Sequence, residues 1–426
     1  MLDLGSKKGK TLLALAAVSI ALPAFATEES EGFDAEEFFK KGMEERTEGK
    51  PYSAIESFQT ILSNEPALNR ARLELAVAYL QTLQFEEAQA AAQKVLDDPS
   101  TPDNVKISIL AFLAQVKKDS ESLLPGHTAK VTVSAGLMYD TNVNVGPADD
   151  ILNIDGNTLQ LDPGAMPVED AAYTLSAAFD HSYRTGKTLR VGENTGLVLW
   201  QSGASIYDRN YNTHDDFNLR VLSLRTGPAV ITNGGFRASV PLVLDNIRLG
   251  DDELANYLGA QPTATWSLND STELTASVEV TKRDFTQADD QLRDSEYYSA
   301  GVSLGKGYKN NTVAVQGGFK LLTNEADLDR YSYDGGELFI GANWQFKPQA
   351  TTFARYSESH SDYKGNEPVF DEARNDEERQ LQIGLIYEFE NALTVSGTIS
   401  RIENDSNVET FEYDRDQYSL SVSKSY

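Results

Sequence analysis

The chain has 426 residues and a net charge of −28, with 65 acidic against 37 basic side chains and no cysteine. The acidic balance disfavours a nucleic-acid binder, which needs a basic surface, and the lack of cysteine excludes disulfides and thiolate metal sites. No helix-length apolar run follows residue 26. That excludes a helical membrane protein but not a membrane barrel, in which half of each strand faces water.

Residues 1–26 read as a secretory signal. Lys7, Lys8 and Lys10 precede an apolar run from Thr11 to Leu22, and Ala24-Phe25-Ala26 is a small-x-small cleavage site. Cleavage is expected before Thr27.

Residues 33–118 read as a short all-α segment, rich in Ala, Leu, Glu, Gln and Lys, with breaks near Gly49-Lys50-Pro51, Asn64-Glu65-Pro66 and Asp98-Pro99-Ser100. A shift of 34 residues puts Gly42 on Ala76, Ala54 on Ala88 and Ile61 on Val95. Gly42, Ala54, Phe58 and Pro66, then Ala76, Tyr79 and Ala88, fall where tetratricopeptide repeats place small, aromatic and Pro residues. Small residues let paired helices approach closely, and Pro stops the second helix. A third helix, Val105 to Lys117, is expected to cap the stack. Such stacks present a concave face to a peptide or protein.

Residues 128–426 change period from 3.6 to 2. Leu274, Ala276, Val278 and Val280 alternate with Thr275, Ser277, Glu279 and Thr281, and Leu393, Val395, Gly397 and Ile399 alternate with Thr394, Ser396, Thr398 and Ser400. This is the pattern of strands with one apolar face. Fourteen strands are predicted. Every second connection is read as short: Thr185-Gly186-Lys187, Gly227-Pro228, Asn269-Asp270-Ser271, Asn310-Asn311, Lys347-Pro348 and Asn391-Ala392. Most of the others are longer and acidic: 141–170 carries six acids, and 364–377 carries Glu367, Asp371, Glu372, Asp376 and Glu377. Alternation of short turns with long loops predicts an all-β antiparallel transmembrane barrel of the outer membrane. An even strand count puts both barrel ends, and the helical segment, on the periplasmic side. Tyr139, Tyr183, Tyr207, Tyr308, Tyr331, Tyr363 and Tyr387 lie near strand ends, where aromatic girdles are expected.

The last strand carries Tyr418, Leu420 and Val422 on one face and reaches Tyr426 in the same phase. This resembles the sorting signal read by the barrel-assembly machinery, with Tyr in place of the usual final Phe. Lys424 interrupts the face, but its stem can snorkel at an interface.

No catalytic motif, phosphate loop or dinucleotide fingerprint is present, so no catalytic residues and no cofactor are expected. His127, His181, His214 and His360 sit in unrelated segments, and none has a second ligand at metal spacing. His214-Asp215-Asp216 and His360-Ser361-Asp362 read as solvated loops. Asp140-Thr141-Asn142-Val143-Asn144 and Asp405-Ser406-Asn407, the latter followed by Tyr413-Asp414-Arg415, are more distinctive. Both are expected at the external rim beside the seam between the first and last strands. Two readings stand: rim-turn structure held by Asp and Asn side chains, or a cation site bridging lipopolysaccharide.

At these residues the chain resembles the surface lipoprotein assembly modifier family. The resemblance lies in the order of signal, short repeat segment and barrel, and in the Gly-x-x-Tyr-Asp-x-Asn-x-Asn element of Gly136, Tyr139, Asp140, Asn142 and Asn144. The late run from Asp405 and Asn407 to Arg415 is similar to the end of that barrel domain. The resemblance implies a non-enzymatic factor that helps lipoproteins, or a related secreted partner, reach the cell surface. Expected partners are outer-membrane lipids and lipopolysaccharide, the barrel-assembly machinery and a lipoprotein or secreted client, with no nucleic acid. Two alternatives remain: an exopolysaccharide-export barrel with periplasmic repeats, and a porin-like diffusion channel.

Overall fold

A computed structural model describes residues 33–154 and 157–426, and the signal segment 1–26 lies outside them. The chain divides into two compact units. One holds the helices together with Arg190–Thr195; the other holds 125–189 and 196–426.

The helical unit contains α1 (Ala35–Thr47), α2 (Pro51–Asn64), α3 (Asn69–Gln81), α4 (Phe85–Leu96) and α5 (Asp103–Ser122). Asp34 starts α1: its carboxylate accepts from the N–H groups of Glu36 (2.9 Å) and Glu37 (3.2 Å), satisfying donors that a helix start leaves free. Lys50 gives α2 no side-chain cap. Glu193 supplies one, accepting from the N–H of Tyr52 (2.9 Å) and Ser53 (3.1 Å). Positions 34 residues apart are buried alike: Gly42 and Ala76, Ala54 and Ala88, Ile61 and Val95. A Cβ on Gly42 would lie 2.8 Å from the Phe58 ring, so only glycine fits. Phe58 is fully buried among Phe39, Ala54, Ile61 and Leu75, and Tyr79 packs beside them. Pro66 is exposed, and its carbonyl accepts from Arg72. α5, longer than predicted, sets Val105 and Ile109 against Ala92 and Val95.

The second unit is a closed antiparallel barrel of fourteen strands. They are β1 (Gly126–Asp140), β2 (Asp170–Val191), β3 (Asn194–Tyr211), β4 (Leu219–Thr232), β5 (Phe236–Ser239 and Leu242–Leu249), β6 (Asp252–Ala260 and Thr263–Asn269) and β7 (Thr272–Phe285). The second half is β8 (Ser295–Tyr308), β9 (Val313–Ala326), β10 (Tyr333–Lys347), β11 (Ala350–Glu367), β12 (Glu372–Glu388), β13 (Leu393–Ser406) and β14 (Tyr413–Ser425). Each strand pairs with the next, and β1 pairs with β14 from Thr132 opposite Ser425 to Asp140 opposite Gln417, which closes the sheet. β5 and β6 are interrupted at Val240-Pro241 and Gln261-Pro262. Proline has no N–H to give a ladder, and the facing stretch of the unbroken β4 is Gly227-Pro228, so three adjacent strands carry proline at one level. There the ladder continues through the proline carbonyls: Pro228 accepts from Val240, Pro241 from Gln261 and Pro262 from Val278.

Two predicted turns are corrected. Thr185-Gly186-Lys187 lies inside β2, where Gly186 takes φ +74°, and Gly227-Pro228 lies inside β4. The chain instead reverses at Gly192-Glu193 and Asn233-Gly234-Gly235. The predicted loop 364–377 shrinks to 368–371, because β11 and β12 run on past the expected rim. One connection at the long-loop end, Gly250-Asp251, is as tight as a turn.

Register fixes the faces. Leu137 on β1 is 67% exposed and Leu338 on β10 is 65% exposed, and both lie on the outside with Ile399 and Leu420. Exposed aliphatics in such number belong against hydrocarbon, not water. Trp266, Tyr308, Trp344 and Tyr387 ring the outside near the short-turn end, and Tyr139, Tyr173, Tyr356 and Tyr418 ring it nearer the other. From Tyr418 to Tyr426 is roughly 26 Å along the strand and, for a typical tilt, about 20 Å in height, close to the apolar band of such barrels. Tyr363, predicted for a girdle, faces inward instead, paired with Tyr333 across β10 and β11.

Candidate functional site in the barrel lumen

Asp140 faces inward at the end of β1 and is wholly buried. Its carboxylate accepts from Arg415 Nη2 (2.6 Å) and Nε (3.0 Å), Gln417 Nε2 (2.8 Å), Tyr211 Oη (2.8 Å) and the Asn142 N–H (3.1 Å). Arg415 and Gln417 stand on β14 and Tyr211 on β3, so one carboxylate ties the closing seam to a third strand. Asn142, also fully buried, accepts from the Gly146 N–H (2.7 Å) and donates to the carbonyls of Gly146 (2.9 Å) and Asp414 (3.1 Å). Asn144 donates to Met166 O (2.9 Å) and accepts from the Val168 N–H (3.0 Å), closing the base of the 141–169 connection. Val143 then packs against Ala172 and Tyr211, two inward-facing side chains, so this base lies against the inner wall.

The second Asp-x-Asn element behaves differently. Asp405 points outward, 57% exposed at its side chain, and pairs with Arg379 (2.8 Å). Asn407 accepts from the Asn375 N–H (2.7 Å) and donates to Ala373 O (2.9 Å), which ties it to β12 and away from the seam. Asp140 therefore meets Arg415 and not Asp405. Among the described residues no three His, Asp or Glu side chains are grouped to hold a metal ion.

Two histidines expected to be unrelated are neighbours. The β1–β2 register brings His127 Nδ1 to 2.9 Å from His181 Nε2. His214 bonds Asp170 (3.1 Å), not the adjacent acids, and His360 bonds Asp362 (3.0 Å). Tyr418, Leu420 and Val422 face outward and are exposed, and Tyr426 is exposed too. Tyr426 and Val131 exchange backbone bonds of 2.9 and 3.2 Å, extending the β1–β14 seam.

The interior is not a packed core. Arg225, paired with Asp180, has a side chain 62% exposed. Arg355 is 50% exposed and shares Glu337 with Lys320. Both arginines face inward by register, so their exposure is to solvent inside the barrel. Nearer the long-loop end a second kind of arginine appears. Arg283 of β7 lies over the Tyr297 ring (4.0 Å) and beside Tyr257 (5.4 Å). Arg330 lies over Tyr331 (4.6 Å), and Arg374 is held between Tyr363 and Phe411, 3.8 Å from each. No local motif marks these residues: they come from separate strands and loops, and only the register brings them to one end.

A closed antiparallel barrel with an apolar exterior, aromatic girdles and a wet, charged interior is the architecture of a bacterial outer-membrane protein. No protein-family model matches the chain, and no curated protein matches it. Among solved structures, the outer-membrane channel DcaP of Acinetobacter baumannii is similar at 12% identity and TM-score 0.40, over 71% of this chain and 97% of that one. An anion-selective porin from Comamonas acidovorans is similar at 9% identity and TM-score 0.40, over 71% and 100%. OpdQ of Pseudomonas aeruginosa follows at 9% identity and 0.33, over 70% and 98%. At these levels the likeness assigns no substrate.

Proposed function

We propose that the protein is an outer-membrane channel for small hydrophilic solutes, with its helical repeats in the periplasm and its longer connections outside the cell. One observation carries this reading: inward-facing charged side chains such as Arg225 and Arg355 remain half exposed within a closed barrel wall. A plugged barrel would bury them. The test is conductance in planar bilayers containing the refolded full chain. Stepwise ohmic currents are expected, and a silent bilayer with correctly folded protein would sink the reading.

A second reading, export of a lipoprotein or related secreted client, follows from the family resemblance and has one structural support. An apolar hollow of about 650 Å³ opens on the outward side of the seam, lined by Leu137, Tyr139, Ile383, Leu385, Ile399 and Leu420. Gly397 lies in its wall with no side chain to fill it, and the nearest atom to an added Cβ there is Ser419 O at 3.9 Å. A client's acyl chain would fit such a surface. Deleting the gene and measuring the surface proteome tests this: if no surface lipoprotein or secreted protein is lost, the export reading fails.

A further inference from the structure

Acids exceed bases by 65 to 37 in this chain, so an inward-facing arginine has acids to spare as partners. Among the described residues, Arg283 and Arg330 have no carboxylate within ion-pair distance, and neither has Arg209 of β3, which lies over Tyr211 (5.0 Å), whereas lumenal Arg225, Arg237, Arg355 and Arg415 all have one. Arg283 and Arg330 are also linked. Asn324 of β9, almost wholly buried, accepts from Arg283 Nη1 (3.4 Å) through its oxygen and donates to the Tyr331 carbonyl (3.0 Å), next to Arg330. Arg330 Nη2 donates to Tyr331 Oη (2.6 Å). The Nε of each guanidinium is buried and has no partner.

Tyrosine faces hold both guanidiniums: Tyr297 and Tyr257 under Arg283, Tyr331 under Arg330. A ring under a guanidinium leaves the N–H groups at its edge in plane. With Arg283 Nη1 on Asn324 and Arg330 Nη2 on Tyr331, the other terminal nitrogen of each has no bond of its own among the described residues. Such in-plane donors match the oxygens of a carboxylate or phosphate. Fixing them in advance removes much of the ordering cost of binding. We propose that Arg283 and Arg330, set on one chain of hydrogen bonds through Asn324 and Tyr331 and stacked on their tyrosines, form a binding site for the oxyanion group of a small solute. The site deepens the channel reading and rests on it: it is the place where an anionic solute pauses on its way through.

The site can be tested with the refolded full chain in detergent by isothermal titration calorimetry at low salt, using D-glucuronate, glucose 6-phosphate and glucose. Both anions are expected to bind and glucose is not. A preference between the two anions tells carboxylate from phosphate as the natural group. Arg283→Gln/Arg330→Gln is expected to weaken anion binding at least tenfold, while Arg225→Gln, in the same lumen but outside the cluster, leaves it unchanged. Should the double variant not fold, Arg283→Lys and Arg330→Lys keep the charge but lose the planar fork, and each is expected to weaken binding severalfold with little change in melting temperature. Equal binding of all three sugars, no binding of any, or full affinity in these variants overturns the site. Bilayer currents on the same preparation separate the two claims. Binding without conductance sinks the channel and keeps the site, and conductance without binding does the reverse.

Discussion

Two aspartates that look alike in sequence have opposite weights. Asp140 is buried and accepts from a guanidinium, an amide, a phenol and a backbone N–H. Asp140→Asn removes the charge that Arg415 needs and turns one acceptor into a donor facing donors. Stranding a buried cation costs about 3–5 kcal/mol, so the heat-modifiable gel band of the folded barrel should convert at a clearly lower temperature. Asp405→Asn breaks a solvent-screened pair and should move that temperature little, within about 0.5 kcal/mol. An equal effect of the two would refute the difference in burial. Glu74 in the helical unit gives a pH test. Burial pushes its carboxyl above the ordinary value, and Arg46, 3.2 Å away, and Arg70 pull it down without winning. Arg46→Met removes the nearer cation and raises the carboxyl further. A raised carboxyl leaves stability intact below its unfolded value and loses it as pH rises through the folded value. The variant should therefore lose more helix stability at pH 7.5 than at pH 4.5, by about 1–2 kcal/mol, read from helical circular dichroism during urea unfolding. Adding Glu74→Gln should abolish the pH dependence; if it persists, Glu74 is not its source.

Elements were legible to different degrees. The 34-residue repeat was readable because packing demands it at each copy: Gly42 and Ala76 are both places where helices touch. Gly42→Ile should clash with the Phe58 ring and cost about 1–3 kcal/mol, seen as an earlier helical transition in urea. Unchanged unfolding would mean that the pair is looser than the 2.8 Å approach implies. The strands were readable from alternation, but their ends were not. Gly186 and Pro228 carry turn-type chemistry yet sit inside long strands, Gly186 with a positive φ and Pro228 opposite another strand's Pro-containing break. The true reversal at Asn233-Gly234-Gly235 carried the stronger hairpin signal, and weighing it over Gly227-Pro228 would have placed it. The seam residues Asp140, Asn142 and Arg415 stood out by motif, although their direct contact did not. Arg283, Asn324 and Arg330 could not be found in the sequence: 41 residues separate Arg283 from Asn324, and their meeting depends on the register across β7, β8 and β9.

The whole molecule separates three chemistries by radius and height. Inward positions carry paired charges and the tyrosine-stacked arginines. Outward positions at the long-loop end carry another charged band, where Arg401 meets Glu403, Asp414 and Asp416. Between the girdles the outward face is apolar. Residues on opposite faces of one strand should therefore respond oppositely to the same substitution. Ile383 of β12 lies between Leu381 and Leu385 on the outward face and opposite Ile399 of β13. Gln380, three residues away, faces the lumen and bonds Ser400 (3.2 Å). An arginine on the bilayer-facing side near mid-depth costs about 2–4 kcal/mol, whereas a lumenal one is solvated. Ile383→Arg should lower the urea midpoint for folding into lipid vesicles, and Gln380→Arg should leave it nearly unchanged while altering ion selectivity. Because a one-residue step flips a strand's side chain to the other face, the reverse result would mean that β12 is inside out. Equal midpoints in vesicles would mean that the apolar belt does not meet lipid at all.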